Sequence, residues 1–109
     1  MSLAPRPFEK IKTGAKTIEL RLYDEKRQKI KVGDEIEFTQ TQTGERLTAK
    51  VCGMHIFKDF AALYSSLDLL KCGYDETNVK SAKPQDMNEY YSDEAIKKYG
   101  VVGIEIKLI

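Results

Sequence analysis

A lysine, a glutamate and an arginine are grouped in the stretch from Gly14 to Arg21, within a few residues of one another. Clustered cations attract phosphate-bearing ligands, and a lysine close to a carboxylate can carry general acid–base chemistry. A plainer interpretation exists for the same residues. Residues two apart on a strand share a face, so Glu19 and Arg21 could form a surface ion pair that contributes little. The residue types alone favour the plainer interpretation, because most charged residues on strands are only solvated.

Positive charge is concentrated in the first part of the chain. Residues 1–31 hold nine Lys and Arg against four acids, a balance of +5, which leaves −4 for the rest of a chain whose total is +1. This asymmetry favours a basic face that attracts phosphate-rich ligands. The alternative is a solvated lysine surface whose counter-charges come from another segment. The candidate basic patch consists of Arg6, Lys10, Lys12, Lys26 and Arg27.

Other residue types that often carry chemistry give weaker signals. Cys52, Cys72 and the single histidine His55 do not follow a zinc-binding spacing, so we predict no metal and no cofactor. The two cysteines are predicted to be free thiols in a reducing compartment. The tyrosines at positions 90, 91 and 99 could stack on bases, but their spacing favours packing of a helix over the end of a barrel.

Composition places the chain in an ordinary class. With 109 residues, 41% hydrophobic and 32% charged, it is predicted to form one globular domain over residues 1–109. No apolar run approaches the roughly 20 residues that a membrane span requires, and the start of the chain lacks the apolar region of a signal peptide. We therefore expect a cytoplasmic protein without a membrane partner.

The elements that position the grouped polar residues can be predicted from periodicity. The chain should open with a helix that starts near Pro5 and stops at Gly14. Ile18, Leu20 and Leu22 then alternate with polar residues, which predicts a strand with one face in the core and the other face polar.

The remaining pattern predicts a hairpin, further helices and a closing strand. Ile36 and Phe38 belong to a second strand, a turn follows at residues 42–45, and a strand returns through Val51. Helices are predicted from Lys58 to Ser65 and, with Ser92 as N-cap, from Asp93 to Tyr99. Residues 66–83 are predicted to be either a flap over a site or a connection. This order fits a small mixed barrel, although periodicity alone does not separate a barrel from an α+β sandwich.

Three groups of residues together resemble the ASCH family of the PUA-like β-barrel superfamily. They are Gly14, Lys16, Thr17, Glu19 and Arg21; then Gly33, Asp34, Ile36 and Phe38; and finally the run from Tyr99 to Ile106. The resemblance implies an α+β fold, a small mixed PUA-like β-barrel with short helices covering its openings. It also implies a cleft between barrel and helices lined by Lys16, Thr17, Glu19 and Arg21, and a ligand that is RNA, a nucleotide or a nucleoside.

The resemblance also supplies competing hypotheses. One branch of relatives hydrolyses the acetyl group of N4-acetylcytidine with a lysine and a threonine in a Lys-x-x-Thr arrangement. In this chain Lys16 occupies the lysine position, but Glu19 occupies the threonine position, so that activity is not carried over. A Lys16–Glu19 acid–base pair leaves a nuclease as a second enzymatic alternative. A third hypothesis is a module that binds a protein partner. Catalysis is required by none of the sequence features.

Overall fold

The computed structural model describes residues 1–109 and contains five strands and four α-helices, with two short 3₁₀ helices between α3 and α4. In chain order these elements are β1 (Ser2–Leu3), α1 (Pro5–Lys12), β2 (Ile18–Leu22), α2 (Glu25–Gln28), β3 (Glu35–Gln40), β4 (Arg46–Phe57), α3 (Phe60–Ser66), the 3₁₀ helices Val79–Ser81 and Pro84–Glu89, α4 (Asp93–Tyr99) and β5 (Val101–Leu108). No helix is long and apolar enough to cross a membrane.

All five strands form one sheet in the order β1-β3-β4-β5-β2. β1 runs parallel to β3, and the other neighbours are antiparallel. The sheet curls into a half-barrel with β1 and β2 as its two edges, and short helices cover it. The predicted α+β, PUA-like architecture is therefore confirmed.

β1 and β2 are separated by a gap, which we call the seam. One side chain bridges it. On either side of β2, the carbonyl of Thr17 accepts a hydrogen bond from the amide of Ile106 in β5, and the amide of Tyr23 donates to the carbonyl of Gly100 just before β5. By the alternation of an antiparallel ladder, Leu20 therefore turns its main-chain groups toward the open edge. Arg21 spans the gap, because its Nη2 donates a hydrogen bond of 3.2 Å to the carbonyl of Ser2 in β1. Polar side chains of β2 consequently gather at the seam.

Two apolar clusters hold the half-barrel. The larger packs α1, through Phe8 and Ile11, against the inner face of the sheet, where Phe38 and Ile104 are fully buried. The smaller joins β2 and β5 to α3, and Leu63 lies at its centre. Burial of this apolar area is the main favourable contribution to folding.

Residues 1–3 form an element that the sequence pattern did not predict. β1 pairs with β3, and Leu3 is 6% exposed within the larger cluster. Two residues cannot show a periodicity, and their partner strand lies more than 30 residues away in the chain. The pairing therefore depends on tertiary packing, which local pattern does not reveal.

Capping side chains set the ends of the predicted helices. Ser92 Oγ accepts a hydrogen bond of 3.2 Å from the amide of Ala95, which confirms the predicted N-cap of α4. Asp59 caps α3 in the same way, so this helix begins at Phe60 rather than at Lys58. α4 ends at Gly100, where φ is +73° and a Cβ atom would lie 2.9 Å from the carbonyl oxygen of Phe57.

Residues 66–83 pack against the half-barrel as a wall. The carbonyl of Lys71 accepts hydrogen bonds of 2.9 and 3.0 Å from the amides of Thr17 and Ile18, and so extends the edge of β2. Cys72 is buried in the smaller apolar cluster. The segment connects α3 to the second 3₁₀ helix and also borders a pocket, through Cys72, Gly73, Tyr74 and Asn78.

Candidate functional site

A pocket of about 500 Å³ opens at the seam between β1 and β2. Its floor consists of polar residues of β2 and the turn before it, and one side is formed by α1. The remaining wall is formed by α3, the connection after it and the second 3₁₀ helix. This volume lies within the range of small-ligand sites.

Three charged side chains meet on the floor of the pocket. Glu19 lies between two cations: Lys16 Nζ is 2.7 Å from Glu19 Oε1, and Arg21 Nη2 is 2.8 Å from Glu19 Oε2. Arg21 Nε adds a second hydrogen bond of 3.0 Å to the same Oε2. The side chains of Lys16, Glu19 and Arg21 are 10%, 4% and 17% exposed. The interpretation of Glu19 and Arg21 as a surface ion pair is therefore wrong.

Glu19 is ionised in this setting. Burial by itself would raise the pKa of the Glu19 carboxyl, but the Lys16 ammonium and the Arg21 guanidinium outweigh burial and hold the pKa below its usual value. The floor thus combines two cations with one carboxylate and has a net positive charge. Both Glu19 oxygens already have a cationic partner.

The two cations keep hydrogen-bond donors free for a ligand. An ammonium has three N–H donors, and Lys16 Nζ contacts no protein acceptor besides Glu19. Arg21 uses Nε and Nη2, and its Nη1 has no protein partner. Because both residues line the pocket, these free donors are placed where a ligand could accept from them.

A glycine allows the connection to lie directly on Lys16. Gly73 has φ of +110°, and a Cβ atom there would approach Lys16 Cδ to 3.3 Å. Lys10 Nζ donates a hydrogen bond of 2.5 Å to the Gly73 carbonyl and so ties α1 to the same turn. The turn at Gly73 therefore contributes to the burial of Lys16.

The five residues of the candidate basic patch separate in the fold. Arg6 and Lys10 reach the pocket, and each lies 4.0 Å from Asp75. Lys12 instead pairs with Glu45 at 2.6 Å, and Lys26 and Arg27 belong to α2, outside the pocket.

Thr17 does not join its neighbours on the pocket floor. It borders a separate groove together with His55 and Glu105, whose Nε2 and Oε1 atoms are 3.0 Å apart. The four predicted ligand-binding residues are thus divided, three at the pocket and one at the groove. No threonine lies beside Lys16 in the pocket, so the arrangement lacks the nucleophile of the Lys-x-x-Thr reaction.

Tyrosines line the pocket at positions that spacing did not predict. Tyr64, Tyr74 and Asp86 form a hydrogen-bonded wall, although they come from three different segments. Tyr90 lies at the pocket with 68% exposure, so the prediction that it packs on the barrel end is wrong. Tyr91 does pack, with its ring stacked on Phe60 at a centroid distance of 6.2 Å.

The structure contains no group of three or more His, Cys, Asp or Glu side chains that could hold a metal ion. Cys52 and Cys72 are both free thiols.

Comparisons with known proteins agree with this architecture. The sequence matches the ASCH domain family over residues 1–109. The crystal structure of hypothetical protein PH0355 is similar, with a TM-score of 0.80 and 39% identity over 100% of this chain and 96% of that chain. The solution NMR structure of protein PF0455 from Pyrococcus furiosus has a TM-score of 0.73 and 33% identity, covering 100% and 98%. No protein of curated function matches. The chain belongs to the ASCH domain family.

Proposed function

We propose that the pocket at the seam binds one nucleotide unit, either free or at an unpaired position of an RNA. The observation that carries the proposal is the buried floor. There Lys16 and Arg21 keep free N–H donors, and Glu19 is the one carboxylate that balances their two positive charges. Buried cations with free donors are complementary to phosphate or to the acceptor edge of a base.

Charge and shape around the floor support the same ligand class. Arg6 and Lys10 add positive charge at the side formed by α1, with Asp75 as their only acidic partner. The exposed ring of Tyr90 offers a surface on which a base can stack. An aromatic surface next to cationic donors suits a ligand that is both planar and anionic.

Binding to a single pocket differs measurably from binding along an extended surface. Each phosphate contacted on a single strand contributes a slope of roughly −0.7 in a plot of log affinity against log salt concentration. We expect fluorescence anisotropy with a short unstructured RNA to give a salt dependence whose slope corresponds to contact with one or two phosphates. A mononucleotide should compete for the same site. Saturable RNA binding without competition by any mononucleotide would contradict a pocket for one unit.

Substitution of the floor tests the location. Replacing Lys16 with Met removes a charge-assisted hydrogen bond, and affinity should fall on the order of ten- to hundredfold. The matched control is Lys12→Met, which removes the same charge outside the pocket and should bind as the wild type does. If both variants lose affinity equally, attraction is diffuse and the pocket is not the site.

Tyr90 provides an independent test that leaves the core intact. Its ring is 68% exposed, so Tyr90→Ala should not change the free energy of unfolding. Loss of a base-stacking surface costs about 1–3 kcal/mol of binding free energy per base. Unchanged affinity in this variant would show that the ligand does not stack on Tyr90, while the floor would still be tested by Lys16→Met.

A further inference from the structure

The remaining wall of the pocket has a different hydrogen-bonding character from the floor. Tyr64 Oη lies 2.7 Å from Tyr74 Oη, and Tyr74 Oη lies 2.9 Å from Asp86 Oδ2. All three residues line the pocket. They come from α3, from the connection after it and from the 3₁₀ helix Pro84–Glu89.

The direction of the hydrogen bonds along this wall follows from their chemistry. The Tyr74 hydroxyl donates its single proton to Asp86 Oδ2. The Tyr74 oxygen then accepts from Tyr64, whose own proton is used in that bond. Burial, together with the bonds to Tyr64 and Asp86, raises the pKa of Tyr74, so its hydroxyl stays protonated at neutral pH. Every proton of the wall thus points toward Asp86.

Asp86 retains an oxygen without a partner. Its Oδ2 accepts from Tyr74 and, at 3.2 Å, from the amide of Lys83. No protein donor reaches Oδ1. The chain of Tyr64, Tyr74 and Asp86 has no hydroxyl proton to spare, so it offers acceptors to a ligand, at Asp86 Oδ1 and at the lone pairs of Tyr64. The floor offers donors from Lys16 and Arg21.

A pocket that donates on one side and accepts on the other selects ligands of matching polarity. A nucleobase with an exocyclic amino group carries a donor next to ring or carbonyl acceptors. A base with a carbonyl in place of the amino group would set an acceptor against Asp86, and two acceptors without a proton between them are unfavourable once the bound base has displaced the water between them.

We propose that Asp86, held in place by Tyr74, makes the pocket selective for nucleobases that carry an exocyclic amino group. This inference rests on the proposed function, because it specifies the ligand class of the same pocket. Asp86 is the residue that contacts the base, and Tyr74 is a positioning residue that fixes the orientation of the carboxylate.

The test compares pairs of nucleotides that differ only in this group. Binding of cytidine and uridine monophosphates, and of adenosine and inosine monophosphates, is measured by isothermal titration calorimetry. We expect the amino-bearing member of each pair to bind about tenfold more tightly, which is within the range for a well-formed contact to a base edge.

Asp86→Asn separates recognition from a structural role. Asparagine has the same shape and can still accept from Tyr74 and Lys83, but it turns an N–H donor toward the ligand. We expect the preference to vanish or to reverse toward uridine and inosine. Asp68→Asn is the matched control, since Asp68 is an exposed aspartate outside the pocket. The control should keep the wild-type preference.

Tyr74→Phe provides a second variant in case Asp86→Asn does not fold. It keeps the ring but removes the hydrogen bond to Asp86, and the preference should fall several-fold while phosphate affinity is kept. Equal affinity within both nucleotide pairs, with clear binding by the wild type, would overturn the selectivity and leave the proposed function standing. Absence of binding by all four nucleotides and by RNA would overturn both.

Discussion

The pocket and the outer groove adjoin the same strand, yet the paired polar side chains in them differ in burial. On the pocket floor the side chains of Lys16 and Glu19 are 10% and 4% exposed. In the groove, the paired side chains of His55 and Glu105 are 39% and 47% exposed. The distances within the two pairs, 2.7 and 3.0 Å, are similar. We therefore expect burial, rather than contact distance, to determine how strongly each pair affects stability and binding.

The largest expected effect follows from removing the central charge of the floor. Glu19→Gln keeps the shape but leaves Lys16 and Arg21 close together without a counter-charge. Breaking a buried ion pair in this way costs about 3–5 kcal/mol, and we expect the low end because the pocket admits water. Urea unfolding at neutral pH measures the loss.

The matched variant in the groove is Glu105→Gln, which breaks the exposed pair with His55. Solvent screening limits such pairs to less than about 1 kcal/mol, so this variant should unfold close to the wild type. If both glutamine variants lose the same free energy of unfolding, the contrast in burial has no energetic consequence and the comparison is wrong.

At acid pH, the contribution of the Glu19 carboxylate to the free energy of unfolding should decrease. Because folding lowers the pKa of Glu19 below the usual 4.5, its ionised form stabilises the protein above that value. This contribution is lost as the pH falls through the folded-state pKa. The difference in unfolding free energy between wild type and Glu19→Gln should therefore shrink below pH 4.5. A difference that stays constant from neutral to acid pH would contradict this assignment.

Each concave region also contains one cysteine, and burial should separate their reactivities. Cys72 borders the pocket, and burial raises its pKa from the usual 9.0 to about 11. Cys52 borders the groove and is exposed. A rise of two units reduces the thiolate fraction, and with it the reaction rate, about hundredfold relative to an ordinary thiol.

A colorimetric thiol reagent should consequently label the folded protein in two phases. Cys52→Ser should abolish the fast phase and Cys72→Ser the slow one, whereas both thiols should react rapidly in denaturant. A single fast phase that accounts for two thiols in the folded protein would show that Cys72 is accessible.

The sequence pattern predicted the strand that carries the residues of the pocket floor, but it did not predict that those residues are buried. Alternation of Ile18, Leu20 and Leu22 predicted β2. The family resemblance, with the spacing of its residues, identified Lys16, Glu19 and Arg21 as candidate site residues. The same alternation predicted a polar face but not its burial, because periodicity cannot show that the polar side of an edge strand is covered. In the structure the turn at Gly73 covers Lys16, and the carbonyl of Ser2 accepts a hydrogen bond from Arg21.

The accepting wall could not be predicted for a related reason. Tyr64, Tyr74 and Asp86 are separated by 10 and 12 positions in the chain, on elements with different periods. No spacing rule joins a helix, a loop and a 3₁₀ helix, so only the tertiary fold shows that their oxygen atoms meet. Thr17 is the converse case, since it is adjacent to Lys16 in sequence but faces the other concavity.

The smallest expected effect tests the role of burial most directly. Lys12 and Glu45 are 2.6 Å apart, as close as the pair on the pocket floor, but their side chains are 45% and 43% exposed. Water screens both charges, and ordering two flexible side chains opposes the attraction. Lys12→Met should therefore leave the urea midpoint unchanged within error, even at low salt. A clear loss of stability in this variant would mean that contact distance, and not burial, governs the ion pairs of this fold.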